Sequence, residues 1–129
     1  MSSGYDDLDS VLQRLARQSI IDHAMQPGGI DAWAQVDRKI PGEHGWVIIP
    51  REDASGYAPG AQVLHDATIV EAERLLRGNR TLAELKCTPE FIGQVDAVLG
   101  AGDARITDFD PKLAADIVQI GLFGSIWYA

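Results

Sequence analysis

The amino-acid sequence predicts a mainly α protein, with an α+β arrangement as the variation left open. Four stretches carry apolar residues at the spacing of helices, at about 6–25, 64–77, 89–99 and 111–127. The chain has 129 residues, 46% of them hydrophobic and 23% charged, which is typical of one globular domain. We therefore expect a single compact helical domain over residues 1–129, with at most one small strand pair and a flexible segment at 1–5.

The first helix has an apolar face of residues three or four positions apart, namely Leu8, Val11, Leu12 and Leu15. The run Pro27, Gly28 and Gly29 ends it. A short helix is expected at about 30–38, because its apolar residues, Ile30, Trp33, Ala34 and Val36, recur at helical spacing.

One clear strand is predicted at 46–49, where Trp, Val, Ile and Ile precede Pro50. Its best partner is the alternating segment 104–109. Residues 51–62 read as a long loop, and loops of that length in compact domains are more often functional or mobile than incidental.

Helix boundaries are marked by local signals. Thr88, Pro89 and Glu90 supply an N-cap hydroxyl, a proline at the first helical position and a first-turn carboxylate, and Asp110 with Pro111 repeats the first two. The helix from residue 64 has Asp66 or Thr68 as candidate caps and Gly78 as its stop. A capping box is also expected from Thr81 to Glu84.

The last helix differs from the others because apolar residues surround its axis from Leu113 to Trp127. Such a helix must be covered, and we favour burial within the chain over a dimer seam. Gly121 and Gly124 lower its helix propensity, so residues 120–129 end either as helix or as an extended segment.

Charge and composition exclude several classes of function. Eleven Lys and Arg against nineteen Asp and Glu give a net charge of −8, and no basic cluster suits nucleic acid or an anionic membrane. The N-terminus lacks the basic and apolar regions of a signal peptide, and the single Cys87 cannot form an internal disulfide. A cytoplasmic protein is expected.

Acidic residues cluster in three places, at Asp6, Asp7 and Asp9, at Glu52 and Asp53, and at Asp103, Asp108 and Asp110. Such a surface either keeps the protein in solution, which is the more common role, or steers a basic partner.

Histidines and carboxylates supply the candidate catalytic residues. His65 and Glu71 form a potential proton-transfer pair, and Glu43 with His44 lies on a loop that enters the strand. If His44 and His65 converge with one carboxylate, they form a two-histidine, one-carboxylate site. A histidine at a helix start is the favoured interpretation of His65, and a plain turn that of Glu43 and His44. We predict no metal or other cofactor.

Arg51 and Tyr57 are the candidate ligand-binding residues, because arginine binds phosphate in a bidentate manner and tyrosine offers a stacking surface. Neither GxGxxG nor GxxxxGK[ST] occurs, which favours a solvated acidic loop. Cys87 precedes a helix start, where thiol pKa values fall, but a buried and inert thiol is the favoured interpretation.

These observations predict a small acidic module that binds another protein. The most specific form of this prediction is an inhibitor of the antitoxin or immunity type that acts on a basic protein. A small enzyme using a His/carboxylate or Arg/Tyr site in 43–71 is the alternative. A second alternative is a subunit of a homo-oligomer that buries its Trp127 and Tyr128 end between copies, so both a monomer and a homodimer stay open.

Overall fold

A computed structural model describes residues 4–52, 55–78, 82–99 and 110–128, and the fold within them is α+β. The helices are α1 (Gly4–Ala24), α2 (Asp66–Arg77), α3 (Leu82–Leu85), α4 (Pro89–Leu99) and α5 (Pro111–Phe123). The strands are β1 (Ala34–Lys39), β2 (Trp46–Pro50) and β3 (Gln62–Leu64), and they form one antiparallel sheet in the order β1-β2-β3. None of the described helices is long and apolar enough to cross a membrane.

The prediction of a mainly α protein with at most one strand pair is wrong, because β2 pairs with a strand on each side. The segment expected to be helical at 30–38 is a single 3-10 turn, Ile30–Ala32, followed by β1. Its apolar spacing fitted a helix, but pairing with β2 is a long-range interaction that overrides local preference. The third strand has only three residues and lies at the end of the expected loop 51–62, so it is too short to show alternation.

The expected partner strand at 104–109 and the capping box that begins at Thr81 lie outside the described residues. The same is true of the side chains of Leu8, Val11 and Leu12 in α1. Leu15, the fourth residue of the predicted apolar face, is exposed. In the described part of α1, the buried residues are Ile20, Ile21 and Ala24, which lie in the last turn of the helix.

Helix α2 begins two residues later than the sequence suggested, because Leu64 belongs to β3 and His65 is the N-cap residue. Thr68, in the first turn of the helix, binds the backbone that precedes it. Its Oγ accepts from the backbone N–H of His65 at 3.2 Å and donates to the carbonyl of Val63 at 3.0 Å. Neither Asp66 nor Thr68 is therefore the cap. Gly78 ends α2 as predicted.

Two further predicted helix starts are confirmed. Thr88 Oγ accepts from the N–H of Phe91 at 3.2 Å where α4 begins, and Asp110 Oδ1 accepts from the N–H of Lys112 at 3.1 Å where α5 begins. The end of α5 is not at residue 127 but at Phe123. Gly124 adopts a left-handed conformation with φ of 79° and donates its N–H to Ile120, which stops the helix.

Helix α5 is the centre of the core, packed against both α1 and α2. Its buried residues lie on most of its circumference and are Leu113, Ala114, Ala115, Ile117, Val118, Gln119 and Ile120. A Cβ added at Gly121 would lie 2.1 Å from the carbonyl oxygen of Thr68, so the two helices approach too closely there for any other residue. Burial within the chain, predicted for the stretch from Leu113 to Trp127, is confirmed for Leu113 to Ile120, whereas Trp127 is 37% exposed.

Candidate functional site

The hairpin tip, residues 40–45 between β1 and β2, carries the first pair of candidate catalytic residues. His44 Nε2 lies 2.8 Å from Asp22 Oδ1 on α1, and Glu43 Oε1 lies 3.0 Å from His65 Nδ1 at the start of α2. A Cβ at Gly45 would stand 3.0 Å from the His65 Cβ, so the tip is pressed against that residue. The two histidine–carboxylate contacts thus hold the tip against both helices.

The structure gives His65 a different partner from the one predicted. Its carboxylate is Glu43, whereas the predicted partner, Glu71, forms an ion pair with Arg74 through Arg74 Nε at 2.9 Å. Glu71 and Arg74 are one turn apart on α2, where such pairs meet readily. The carboxylate that contacts the His65 ring in the structure is thus Glu43, and a proton-transfer role for His65 and Glu71 stays a prediction.

A two-histidine, one-carboxylate metal site is not formed either. Among the described residues, no three His, Cys, Asp or Glu side chains are grouped closely enough to hold a metal ion. His44 and His65 each contact a separate carboxylate, and all four side chains are partly exposed. Exposed side-chain contacts of this kind contribute at most about 1 kcal/mol to folding, which suits a docking contact for the hairpin tip.

Arg51 and Tyr57 lie away from the hairpin tip, because they follow β2 while the tip precedes it. At about 3.3 Å of rise per residue, His44 and Arg51 are roughly 20 Å apart along the strand. Both backbone polar groups of Arg51 form hydrogen bonds. Its N–H donates to the carbonyl of Trp33 at 2.9 Å, and its carbonyl accepts from the Tyr128 hydroxyl at 2.7 Å. The structure thus separates the candidate residues of 43–71 into two groups.

The segment after α5 folds back along the molecule and brings the C-terminal residues to Arg51. Gln119, fully buried, holds this segment: its Oε1 accepts from the N–H groups of Trp127 and Tyr128, each at 2.7 Å, and its Nε2 donates to the Tyr128 carbonyl at 3.1 Å. The N–H of Ile126 donates to the carbonyl of Leu85 at 2.9 Å. These bonds fix the ring positions of residues 127 and 128.

Five aromatic rings meet at this end of the sheet. Trp33 stacks on Tyr128 with ring centroids 5.4 Å apart and planes 9° apart, and Phe123 stacks on Trp127 at 4.8 Å and 17°. Phe123 also contacts both Trp33 and Tyr128, and Tyr57 lies 5.8 Å from Trp127. Trp33 and Tyr128 are buried, whereas Tyr57 is 54% and Trp127 37% exposed. The cluster therefore runs from the core to the surface.

The exposed end of the cluster forms an open groove of about 370 Å³, lined among the described residues by Ser55, Tyr57, Lys86 and Trp127. We name this surface the aromatic groove. Lys86 follows α3 in a left-handed conformation with φ of 57°, the only residue other than glycine with a positive φ in the described chain. That conformation costs a side-chain-bearing residue roughly 1–2 kcal/mol, and such strain is concentrated at functional sites.

Sequence reasoning identified Tyr57 as a ligand-binding candidate but missed Lys86 and Trp127. The available signal was the dense aromatic content near the C-terminus, where Phe123, Trp127 and Tyr128 lie within six positions. From the sequence alone, that density indicates only core or an oligomer contact, because nothing in the sequence relates residue 57 to residue 127.

Burial raises the pKa of two titratable groups in the described chain, Cys87 and Asp116. Burial raises the pKa of the Cys87 thiol, which opposes thiolate formation and agrees with an inert cysteine. Burial also raises the pKa of Asp116, against the opposing effect of Lys112 one turn away. Asp116 and Lys112 line a second, smaller cavity of about 80 Å³ beside Trp33.

The groove and the hairpin tip are thus two places where chemistry-bearing side chains gather on the surface of the described chain. At the tip the histidines bind carboxylates of the same chain. At the groove, aromatic surface faces solvent. Comparisons of the chain with protein-family models, with curated proteins and with solved structures found no match.

Proposed function

We propose that this chain is a protein-binding module whose contact surface is centred on the aromatic groove. The observation that carries the proposal is the pair Tyr57 and Trp127, two large side chains that remain exposed while in contact with each other. Tyrosine and tryptophan are the residues that most often dominate the binding energy of protein interfaces. Their apolar bodies gain by desolvation, and their polar ends still find hydrogen-bond partners.

The rigidity of the groove supports the same function. Trp127 is stacked on Phe123, and its backbone N–H is bound by the buried Gln119. A side chain that is already ordered loses little further conformational entropy when a partner binds, so more of the contact energy appears as affinity. The groove is therefore suited to anchoring a partner.

The chemistry of the partner is inferred from charge. The chain carries a net charge of −8, with eleven Lys and Arg against nineteen Asp and Glu. A net negative charge of this size favours association with a basic partner. Inhibition of a basic protein, as by an antitoxin or immunity protein, is the specific form of this proposal.

The test uses the full chain as bait in a lysate of the cells that produce it. We compare the wild type with Tyr57→Ala, with the Tyr57→Ala/Trp127→Ala double variant, and with Val70→Ala as a control. Val70 is 46% exposed on α2 and does not line the groove. Tyr57 is more than half exposed, so its replacement should leave the melting temperature nearly unchanged.

A protein retained by the wild type and by Val70→Ala but lost by the groove variants is then purified and measured as a binary complex. We expect Tyr57→Ala to weaken that complex at least tenfold, and added salt to slow association more than it speeds dissociation. Retention of the same proteins by all four baits would refute the groove as the contact surface.

A further inference from the structure

We infer that the chain forms a reversible homodimer in which the first halves of two α1 helices pack antiparallel through an apolar stripe. The residues of this surface, which we name the α1 stripe, recur at helical spacing and are Leu8, Val11, Leu12 and Leu15. The surface is separate from the aromatic groove, and the inference goes beyond the proposed function.

Helix α1 has two apolar faces, and one of them packs against the core. Its buried residues are Ile20, Ile21 and Ala24, near the end of the helix. At about 100° per residue, the side of the helix that carries these residues lies about 175° from the side that carries the α1 stripe. Arg17 is on the core-facing side, where its Nε donates to Asp66 of α2 at 2.6 Å. The α1 stripe therefore lies on the side of the helix that is turned away from the core.

The exposure of Leu15 supports this orientation. Leu15 is the residue of the α1 stripe whose side chain the structure describes, and it is 52% exposed. Gln13 and Arg14 beside it are exposed as well. Farther along the same side of the helix, Asp22 contacts His44 of the hairpin tip at 2.8 Å. The tip thus meets this side near the end of the helix, and Leu15, about two turns earlier, is left open to a partner.

The charges beside the α1 stripe fit a second copy of the same helix. Asp7 and Arg14 are seven residues apart, so both lie on the same flank of the stripe, with Arg14 about two turns after Asp7. A twofold axis perpendicular to two helices reverses their direction and brings the same flanks together. Arg14 of each copy then lies beside Asp7 of the other. Arg14 is exposed, and the ion pairs among the described residues do not include it.

The same charges select the antiparallel arrangement over a parallel one. In a parallel pair the acidic residues at the start of α1, Asp6, Asp7 and Asp9, would lie beside their own counterparts and repel them. The net charge of −8 opposes any self-association, so the favourable free energy comes from burial of the α1 stripe. A contact of a few helical turns is small for a protein interface, and the dimer should therefore dissociate on dilution.

The test measures the mass of the full chain by sedimentation equilibrium over a series of concentrations. Leu15→Glu is compared with Val70→Glu, which places the same charge on an exposed aliphatic position of α2 that is 46% exposed. Because both positions are exposed, both variants should keep the melting temperature of the wild type. We expect a monomer–dimer equilibrium in the wild type and in Val70→Glu. Leu15→Glu should raise the dissociation constant about tenfold or more, because it buries two carboxylates in the seam.

Charge reversal tests the antiparallel pairing directly. Arg14→Glu places an acidic side chain beside Asp7 of the other copy, and Asp7→Lys places a basic one beside Arg14, so each variant should weaken the dimer severalfold. The Arg14→Glu/Asp7→Lys double variant restores opposite charges and should recover most of the wild-type affinity. Residues 7 and 14 of one helix are about 10 Å apart along its axis, so the recovery arises between copies.

Three results would overturn the inference: a chain that stays monomeric up to its solubility limit, a dimer that Leu15→Glu leaves intact, and a double variant that dimerises no better than the single ones. Tyr57→Ala separates this surface from the aromatic groove and should leave the dimer unchanged. A dimer that depends on Tyr57 and not on Leu15 would place the seam at the groove and reject the α1 stripe. The partner sought with the groove variants is a separate question, since Leu15→Glu should not alter its retention.

Discussion

The two ends of strand β2 show opposite ways of treating exposed side chains. At the hairpin tip, His44 and His65 each contact a carboxylate of the same chain at 2.8 and 3.0 Å. At the other end, Tyr57 and Trp127 contact each other and keep a large part of their surface exposed. A polar group that already forms a hydrogen bond within the chain gains little from binding a partner. Exposed aromatic surface, in contrast, stabilises a complex when the partner buries it. Titratable residues alone would therefore have indicated the hairpin tip and not the aromatic groove as the binding surface.

The two ends also differ in how deeply they are tied to the core. The hairpin tip is joined to α1 and α2 by exposed pairs, which contribute little to folding. The aromatic end is joined through the buried residues Gln119, Trp33 and Tyr128. Substitutions should therefore have large effects on stability behind the groove and small ones at the tip.

Deleting residues 124–129 should have the largest effect. The deletion removes Tyr128, which stacks on Trp33, and leaves the buried amide of Gln119 without its backbone partners. We expect the truncated chain to lose cooperative thermal unfolding or to become insoluble. Circular dichroism melts and size-exclusion mass measurement provide the test. A soluble truncated monomer that melts cooperatively, obtained from a dimeric parent, would show that this segment belongs to a dimer seam instead.

Gln119→Ala should have the next largest effect, a loss of about 3 kcal/mol in the free energy of unfolding. It leaves the N–H groups of Trp127 and Tyr128 and one carbonyl without partners, and an unsatisfied buried group costs about 1–3 kcal/mol. Urea denaturation measures the loss. The control is Gln94→Ala, an exposed position on α4 where we expect a change below about 0.5 kcal/mol. Equal losses in the two variants would show that the hydrogen bonds of Gln119 to Trp127 and Tyr128 do not stabilise the fold.

The local signals in the sequence were sufficient for the helix starts. The N-cap and proline pairs at Thr88 and Asp110 are local patterns of a few residues. They predict the helix starts because tertiary packing does not override them. The sheet needed more information. Strand β1 is defined by its pairing with β2, and β3 has three residues, so neither has a pattern that can be recognised in isolation.

The site was predictable only in part for the same reason. The sequence identified Glu43, His44 and His65 as candidate catalytic residues, and the structure pairs each with a side chain that the packing of the tip selects. The groove joins Tyr57, Lys86 and Trp127, three residues far apart in sequence. The buried Gln119 brings residue 127 to that surface, and a glutamine within an apolar helix gives no indication of which backbone it will bind.

Thr88→Ala should lower the free energy of unfolding by about 1 kcal/mol, because it removes the acceptor for the N–H of Phe91 at the start of α4. Thr88→Ser keeps the hydroxyl and should recover most of the loss. Denaturant titration of the two variants beside the wild type decides the matter. This effect lies between those expected behind the groove and at the tip, since Thr88 itself is exposed while Phe91 is buried. Unchanged stability of Thr88→Ala would show that another group caps the helix.

The smallest effect is expected at the hairpin tip, and it tests the contrast most directly. In a double-mutant cycle of Glu43→Gln and His65→Ala, the coupling energy should be about 0.2–1 kcal/mol, because both side chains are partly exposed and screened by water. The cycle is measured by denaturant titration at low and high salt, with the smaller coupling at high salt. Neither variant should change the affinity of the aromatic groove for its ligand, since the tip lies at the far end of β2. A coupling of several kcal/mol, or a parallel loss of groove affinity, would mean that the two ends act as one site.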